Sequence, residues 1–427
     1  MKKYTFILIV LAACSFFACG DDESKRPAGG SWNSDPIEEY TVTPINGGAT
    51  ITYTIPNDPD ILYIMAEYER NGKIFTEKSS VHKNELTIEG FHRVDKVKAS
   101  LYKVNRQEQR SAPIEVEFEP LESLIDIAYN SWQMEPGFGG IVASWANPAE
   151  TELGIRLLKE DEEENNELTT ADMYFSSMKF EKHPFRNYEP VETNFGVSFE
   201  DKWGNISDTI QFATTPLFEI MIPKTGYKDY RSAIPWDNTS NLSGRNITSL
   251  WDNTVNASGH GWLTLSGSSG LSITIDLGQV AKLSRIVRHP YHINSLYGQA
   301  NITDFEAWGI DKIDPATLAD KPYWLDSLSV RWGAIHTVDP LTEIPARTFK
   351  NDWTYLGRNT VPLGLSTADA NAMAQNGVES DVPFDAKPVR YVRIFVRAIT
   401  LNSPPPTSNY FSCSELTFYG DTSIPQE

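Results

Sequence analysis

The chain has 427 residues, of which 57 are Asp or Glu and 37 are Lys or Arg, so its formal net charge at pH 7 is −20. This length exceeds the usual size of one all-β module and predicts two to four domains. An acidic chain with no basic run after its first few positions lacks the basic face that nucleic acid requires, so we expect no nucleic-acid partner. The 27 Gly and 26 Pro are spread along the chain, which favours short strands separated by turns.

The first segment has the pattern of a secretion signal. Lys2 and Lys3 precede an apolar run over residues 4–17 that is too short to span a bilayer. Two cysteines compete as the processing site, because Cys14 and Cys19 each directly follow an Ala. Both sites resemble the lipobox of bacterial lipoproteins, in which the cysteine becomes lipidated after cleavage. An ordinary secretory signal with incidental cysteines is the alternative.

We favour Cys19 because of the residues that follow it. Residues 20–23, Gly-Asp-Asp-Glu, resemble the acidic tag that sends Bacteroidetes lipoproteins to the outer face of the outer membrane. The resemblance implies a signal peptide over residues 1–18, a lipid on Cys19 and a flexible tether over residues 19–35. Cys413 is then left without a partner, so we expect no disulfide framework and predict that Cys413 is a small buried hydrophobe.

A repeat organises the first half of the chain. Residues 47–53 match residues 139–145 at an offset of 92 residues, and each copy alternates apolar and polar side chains as a half-buried strand does. A period of about 90 residues made of short strands is the size of a β-sandwich module. The two copies resemble fibronectin-III-like modules, which we place at residues 36–120 and 121–217.

The last two hundred residues carry a different series of motifs. The motifs are residues 249–253, 261–262 and 272–278 near the start, and residues 389–396 and 414–420 near the end. Their order resembles the opening and the two final strands of a discoidin (coagulation factor 5/8 type C) domain, which we place at residues 218–421. The residues themselves alternate with period two and show no long helical stripe, which favours a β-sandwich or jelly roll. The fold class predicted for the whole chain is therefore all-β.

Two features depart from the discoidin pattern. Asn253 stands where the family has Gly after the turn Asp, although Asn tolerates a left-handed backbone. The segment over residues 310–346 is longer than a minimal discoidin domain allows, and we interpret it as an insertion at the binding end. The resemblance also implies that the carboxylates of Asp252 and Glu415 could hold a structural Ca²⁺, and no other cofactor is expected.

The order of lipoprotein signal, two fibronectin-like modules and a discoidin-like module resembles Bacteroidetes lipoproteins of polysaccharide-utilisation systems. The resemblance implies a surface protein that captures polysaccharide or oligosaccharide through its C-terminal domain, with the outer membrane and an importer complex as partners. Sugars present flat apolar faces ringed by hydroxyls, so their site needs an aromatic plate with polar partners. An adhesin for a host or partner protein and a polysaccharide hydrolase are the alternatives.

The densest cluster of aromatic and polar residues directly follows a predicted strand and is the first candidate for the glycan site. Its members, with three residues that could reach the same rim, are Arg288, His289, Tyr291, His292, Tyr297, Trp262, Trp236 and His260. The structural alternative is that the rings fill the core of the sandwich and that the histidines hydrogen-bond within a loop. The sequence shows no further ligands that would complete a metal site with the two histidines of the cluster.

The sequence contains no recognisable catalytic motif. Gly267-Ser268-Ser269-Gly270 lacks the spacing of a nucleophile elbow, and neither a phosphate-binding glycine loop nor a paired-cysteine zinc site occurs. A glycosidase needs two carboxylates on opposite sides of a bond, and inspection of 57 acidic residues does not identify such a pair. We therefore expect a protein that is not an enzyme.

Overall fold

A computed structural model describes most of the chain. The described ranges are residues 32–93, 95–161, 166–230, 241–255, 257, 259–264, 272–291, 300–324, 349–361, 365–400 and 411–424. The predicted signal peptide and the proposed lipid site Cys19 lie outside the described residues, as do Trp236, His292 and Tyr297.

The described residues form 24 strands and two α-helices, together with short 3-10 turns. The first strands are β1 (Tyr40–Ile45), β2 (Gly48–Tyr53), β3 (Ile61–Arg70), β4 (Lys73–Ser80), β5 (Glu85–Glu89), β6 (Val97–Asn105) and β7 (Ile114–Phe118). Next come α1 (Leu124–Ser131), β8 (Gln133–Gly137), β9 (Gly140–Ala146), β10 (Leu153–Asp161), β11 (Glu167–Ser176), β12 (Phe180–Phe185), β13 (Thr193–Asp201) and β14 (Ile210–Thr214). The all-β fold class predicted from the sequence is confirmed.

The C-terminal part contains the remaining elements. They are β15 (Ile220–Met221), β16 (Lys228–Asp229), β17 (Trp262–Leu263), β18 (Ser272–His289), β19 (Ile302–Ile310), β20 (Thr354–Thr360), α2 (Thr367–Asn376), β21 (Val378–Asp381), β22 (Val389–Ile399), β23 (Ser412–Cys413) and β24 (Glu415–Asp421). None of the helices in the described ranges combines the length and the apolar composition that a membrane span requires.

The chain divides into two compact units. Among the described residues, the first comprises those in 32–134, 143–183 and 194–213, and the second comprises those in 135–142, 184–193 and 214–424. Three domains were expected from the sequence, and their boundaries remain a prediction.

Strands β1–β7 and β8–β14 repeat one topology. The first set forms sheets in the orders β1-β2-β5 and β4-β3-β6-β7, and the second set forms β8-β9-β12 and β11-β10-β13-β14. Each set therefore has three strands in one sheet and four in the other, connected in the same sequence order. This is the architecture of a fibronectin-III-like sandwich, as predicted for the fold of both segments.

The repeat extends to the conformation of single residues. Gly47 and Gly139, which are 92 residues apart, both have a φ of +64°. The amide of Gly47 donates to the Leu121 carbonyl at 3.0 Å, and the amide of Gly139 donates to the Leu217 carbonyl at 2.8 Å. Glycine adopts a positive φ at little cost, so the two matching glycines mark one turn used twice.

The C-terminal sandwich is built around a sheet of eight strands. Its main path runs β15-β24-β18-β22-β19-β20, and β16 and β21 also pair with β18. Strand β18 spans 18 residues and pairs with β22 over its first part and with β24 over its second. The main core contains aliphatic residues of β18 and β22 together with Trp251, Trp262 and Phe418.

The described part of the predicted insertion covers the opposite face of this sheet. Trp324 of the insertion packs with Trp308, Tyr391 and Phe395 in a second, aromatic core, which Phe349 completes from just after the insertion. The insertion over residues 310–346 was expected at the binding end, which stays a prediction, and two of its described residues, Ile313 and Trp324, are buried in this core. Residues 325–348 lie outside the described ranges.

The second core also contains charges. Asp304 and Glu306 alternate along β19 with Phe305 and Ala307, a pattern that ordinarily places carboxylates in water, and yet Glu306 has no exposed surface. The Nζ of Lys350 lies 2.6 Å from Glu306, and the Arg397 guanidinium also pairs with Glu306. A buried carboxylate needs such partners, because burial without them is strongly unfavourable.

Candidate functional site

One end of the C-terminal sandwich gathers most of the residues that the sequence singled out. Strand β17 pairs with β23 so that Trp262 lies opposite Cys413, which places residues 259–262 beside the end of β18 and the start of β24. We call the residues 241–255, 259–264, 289–291 and 411–415 the loop end. Asp252, His260, Trp262, Tyr291 and Glu415 all belong to it.

The indole ring of Trp262 lies below the surface of the loop end. Trp262 has no exposed surface, its Nε1 donates to Oδ1 of Asn241 at 2.8 Å, and its ring packs edge-to-face on Phe411 at 5.2 Å. A ring in this position does not offer its face to a sugar. The prediction that Trp262 serves as a stacking plate is therefore corrected to a packing role.

Tyr291 is held in the same layer by backbone contacts. Its amide donates to Oδ1 of Asn301 at 2.6 Å, and the Asn301 amide group donates back to the Tyr291 carbonyl at 2.7 Å. A Cβ at Gly261, whose φ is +129°, would lie 2.8 Å from the Tyr291 ring, so the close approach requires glycine. Tyr291 is also fully buried, which raises the pKa of its hydroxyl and corrects its predicted role as an exposed plate.

Arg288 and His289 are structural residues as well. Arg288 is fully buried, where its Nε donates to Oδ1 of Asn359 at 2.8 Å and its Nη1 donates to the Ile302 carbonyl at 2.6 Å. Burial lowers the pKa of Arg288 to about 10. The Nδ1 of His289 lies 3.3 Å from the Ala374 carbonyl, and burial lowers the pKa of this histidine. Their predicted contacts to a ligand are corrected to contacts inside the sandwich.

The accessible polar groups of the loop end lie above this buried layer. Asp252 and His260 pair at 2.8 Å between Oδ2 and Nε2, and their side chains are 38% and 33% exposed. Arg245 is partly exposed, donates to the Gly259 carbonyl, and places its guanidinium carbon 5.9 Å from the centre of the Tyr291 ring. We call Arg245, Asp252 and His260 the polar rim. Arg245 was not predicted. In a short polar turn, no sequence signal distinguishes an arginine that is held at a site from one that only faces solvent.

The predicted calcium ligands have different partners. Oε1 of Glu415 accepts from the amide of Asn253 at 3.2 Å and pairs with the ammonium of Lys224. Asp252 uses Oδ2 for His260 and accepts from the amide of Thr254 through Oδ1 at 2.9 Å. Ca²⁺ takes six to eight oxygen ligands, and the described residues contain no group of three or more His, Cys, Asp or Glu that could hold a metal. With Lys224 in this position, the residues present do not fit a calcium ion.

The turn at Asn253 and the cysteine of β23 follow the sequence expectation. Asn253 has a φ of +66°, the left-handed conformation that Asn was expected to tolerate. Cys413 is free and buried, and burial raises the pKa of its thiol to about 12. A thiol with this pKa is inert at neutral pH, which agrees with the prediction of a packing role.

Three family models match successive parts of the chain. Residues 34–120 match a model described as "Domain of unknown function (DUF4959)", and residues 121–225 match "Domain of unknown function (DUF5126)". Residues 251–420 match the model DUF5000, which is also described as "Domain of unknown function". No curated protein matches the chain.

Solved structures with partial likeness include a SusE-like protein, BT2857, at 20% identity, which covers 69% of this chain and 97% of its own with a TM-score of 0.36. A segment of two fibronectin type-III domains from chicken tenascin has 11% identity, 42% and 98% coverage and a TM-score of 0.20. An F5/8 type C domain from Bacteroides fragilis has 11% identity, 43% and 98% coverage and a TM-score of 0.23. These sequence identities and TM-scores are too low for any activity of those proteins to be assigned to this chain.

Proposed function

We propose that the protein is a non-catalytic glycan-binding lipoprotein of the cell surface, which holds polysaccharide or oligosaccharide on the loop end of its C-terminal sandwich. The observation that carries the proposal is the polar rim. Asp252 and His260 pair with each other, and Arg245 bonds the carbonyl of Gly259, the residue before His260, close to the buried ring of Tyr291. The lipid on Cys19 and delivery of the glycan to an outer-membrane uptake system are parts of the same proposal.

The chemistry of the polar rim suits sugar hydroxyls. A carboxylate accepts from two hydroxyls, a guanidinium donates in a fixed fork, and an imidazole can do either. Hydrogen bonds to charged groups contribute more than those between neutral groups, and they do so only where the groups are held in place. The polar rim is held in place because Asp252 and His260 bond to each other and Arg245 bonds to the Gly259 carbonyl. Such preorganisation lowers the entropic cost of binding.

Binding by the full-length chain to a panel of neutral and acidic polysaccharides tests the proposal. The R245A/H260A double variant should bind at least about 10-fold more weakly, because it loses one charge-assisted and one neutral hydrogen bond. Affinity electrophoresis would identify the glycan, and isothermal titration would give the affinity. The matched control is R106A/H82A, which changes an exposed arginine and an exposed histidine of the first sandwich.

Three results would contradict parts of the proposal. Equal affinity of the R245A/H260A variant and the wild type would place the site elsewhere. Release of shorter sugars after long incubation would identify a hydrolase. Absence of binding to every polysaccharide, together with saturable binding to a purified surface protein, would favour the adhesin alternative.

A further inference from the structure

The carboxylate of Glu415 is buried at the loop end, and its two oxygens differ in their hydrogen bonds. Its side chain is 1% exposed, and Oε1 receives both the Lys224 ammonium and the amide of Asn253. Oε2 has no hydrogen-bond partner among the described residues. Asp252 adds a second negative charge close by, and burial together with this charge raises the pKa of Glu415. The buried carboxylate therefore relies on Lys224 for its opposite charge and keeps one oxygen without a hydrogen bond among the described residues.

Lys224 is delivered to this carboxylate by a rigid turn. The lysine begins the 3-10 turn Lys224–Gly226, which follows β15, and its side chain is 7% exposed. The chain is fixed before the turn, where the amide of Ile222 donates to the Phe418 carbonyl at 2.8 Å. It is fixed after the turn as well, because the Tyr227 hydroxyl donates to the Ile222 carbonyl at 3.2 Å. The ammonium therefore reaches Glu415 with little freedom to leave.

We infer that Lys224 is a built-in cation of the loop end, which occupies the position where a bound metal ion would otherwise balance Glu415 and Asp252. A single ammonium neutralises the buried carboxylate, while His260 engages Asp252. The carboxylate in turn holds the backbone of Asn253, which precedes the Thr254 amide bonded to Asp252. The loop that carries one side of the polar rim is thus anchored without a divalent metal. This inference does not depend on which ligand the polar rim binds.

The unpaired Oε2 of Glu415 leads to a prediction about a variant that lacks the lysine. If the ammonium is removed, Oε1 keeps only the amide of Asn253 and Oε2 has no hydrogen-bond partner among the described residues. The carboxylate can then take a hard cation beside Asp252, and water can supply the remaining ligands. The K224A variant should therefore gain a site for Ca²⁺ that the wild type lacks.

Thermal unfolding of the full-length chain, followed by calorimetry, tests the inference. The wild type should unfold at the same temperature in EDTA and in millimolar CaCl₂. K224A should unfold about 6–20 °C lower in EDTA, since it leaves a buried carboxylate unpaired, and CaCl₂ should restore at least half of that loss. NaCl at the same ionic strength should restore much less, because screening does not replace a coordinated ion.

Two variants provide controls. K224A/E415Q has no unpaired carboxylate at position 415, so it should unfold at a higher temperature than K224A and should not respond to calcium. K96A removes the lysine of an exposed ion pair with Glu117 and should shift the unfolding temperature by no more than about 2 °C in either buffer.

A calcium-dependent rise in the unfolding temperature of the wild type that E415Q abolishes would overturn the inference, because it would show that the site takes a metal with Lys224 present. A K224A variant as stable as the wild type would overturn it too. If K224A does not fold, the response of the wild type to EDTA still decides the question. Failure of calcium to restore a folded K224A would contradict the predicted gain of a site.

Discussion

The two fibronectin-like sandwiches contain the same turn at the same place, and the residue that closes the turn is exposed in the first copy and buried in the second. In the first sandwich Oδ1 of Asn105 accepts from the amides of Gln107 and Gln109 at 2.9 and 2.8 Å. In the second, 96 residues later, Oδ1 of Asp201 accepts from the amides of Trp203 and Asn205 at 2.9 and 3.0 Å. Short polar side chains often cap such turns by bonding the backbone two residues on.

The surroundings of the two turns differ. Residues 106–110 of the first turn are exposed, whereas Asn205 of the second is buried and donates from Nδ2 to the Gly90 carbonyl at 3.0 Å. The Trp203 ring packs on Gly90 so closely that a Cβ there would lie 2.8 Å from its Cγ. The same local motif therefore forms the turn in both copies. Whether the turn also packs against another segment, as the second copy does at Gly90, depends on residues outside the motif.

The largest effect is expected for G90A. Gly90 has a φ of +94°, and an added Cβ would lie 2.4 Å from Nη1 of Arg70 as well as close to Trp203. The variant combines backbone strain with a steric clash, so we expect it to lower the free energy of unfolding by about 2–4 kcal/mol in chemical denaturation. The control is G72A, where φ is +72° and no atom lies within 4 Å of the added Cβ. Its loss should be about 1 kcal/mol, and equal losses would show that packing on Gly90 contributes little.

A smaller effect is expected from Asn205 and its counterpart in the first sandwich, Gln109. N205A leaves the Gly90 carbonyl without its side-chain donor and should cost about 1–3 kcal/mol. Q109A removes a partly buried bond, in which Oε1 accepts from Nδ2 of Asn105 at 2.9 Å. Because Gln109 itself is exposed, water can replace its side chain, so this variant should cost only about 0.5–1 kcal/mol. Urea denaturation of both variants measures the difference. A cost for Q109A as large as that for N205A would contradict the distinction between the buried Asn205 and the exposed Gln109.

The smallest difference is expected between S111A and S207A. The Ser111 hydroxyl accepts from the Lys103 amide at 3.0 Å, and the Ser207 hydroxyl accepts from the Phe199 amide at 2.9 Å. Both serines are buried and both donate to the carbonyl of the next residue, so each variant should lose about 1 kcal/mol. Unfolding free energies that differ by more than about 1 kcal/mol would show that the turns are not equivalent even in their local bonds.

The C-terminal sandwich shows which features the sequence patterns do not predict. Alternation in β19 correctly separates Phe305 and Ala307 from Asp304 and Glu306, but it does not show that an inserted segment covers the polar face. Trp262 and Tyr291 are aromatic residues of the kind that a sugar-binding site uses, but both lie in the core. Period-two alternation assigns side chains to two faces of a sheet, and only long-range packing decides which faces meet water.

The residues of the candidate site were found in part. The sequence resemblance placed Asp252, His260 and Glu415 in one domain, and the structure brings them to one end of it. Arg245 was missed because its contacts, the Gly259 carbonyl and the Tyr291 ring, belong to other loops. Lys224 was missed because its partner lies 191 residues further along the chain.

The sequence by itself determined the all-β class, the tandem repeat and the local turns, because strand alternation, glycine at positive φ and short polar caps act within a few residues of the chain. The tertiary structure alone decided which rings are buried, which carboxylates receive a cation and which polar groups remain accessible. Those outcomes depend on the desolvation of groups far apart in sequence, and burial is a property of the packed sandwich rather than of any single segment.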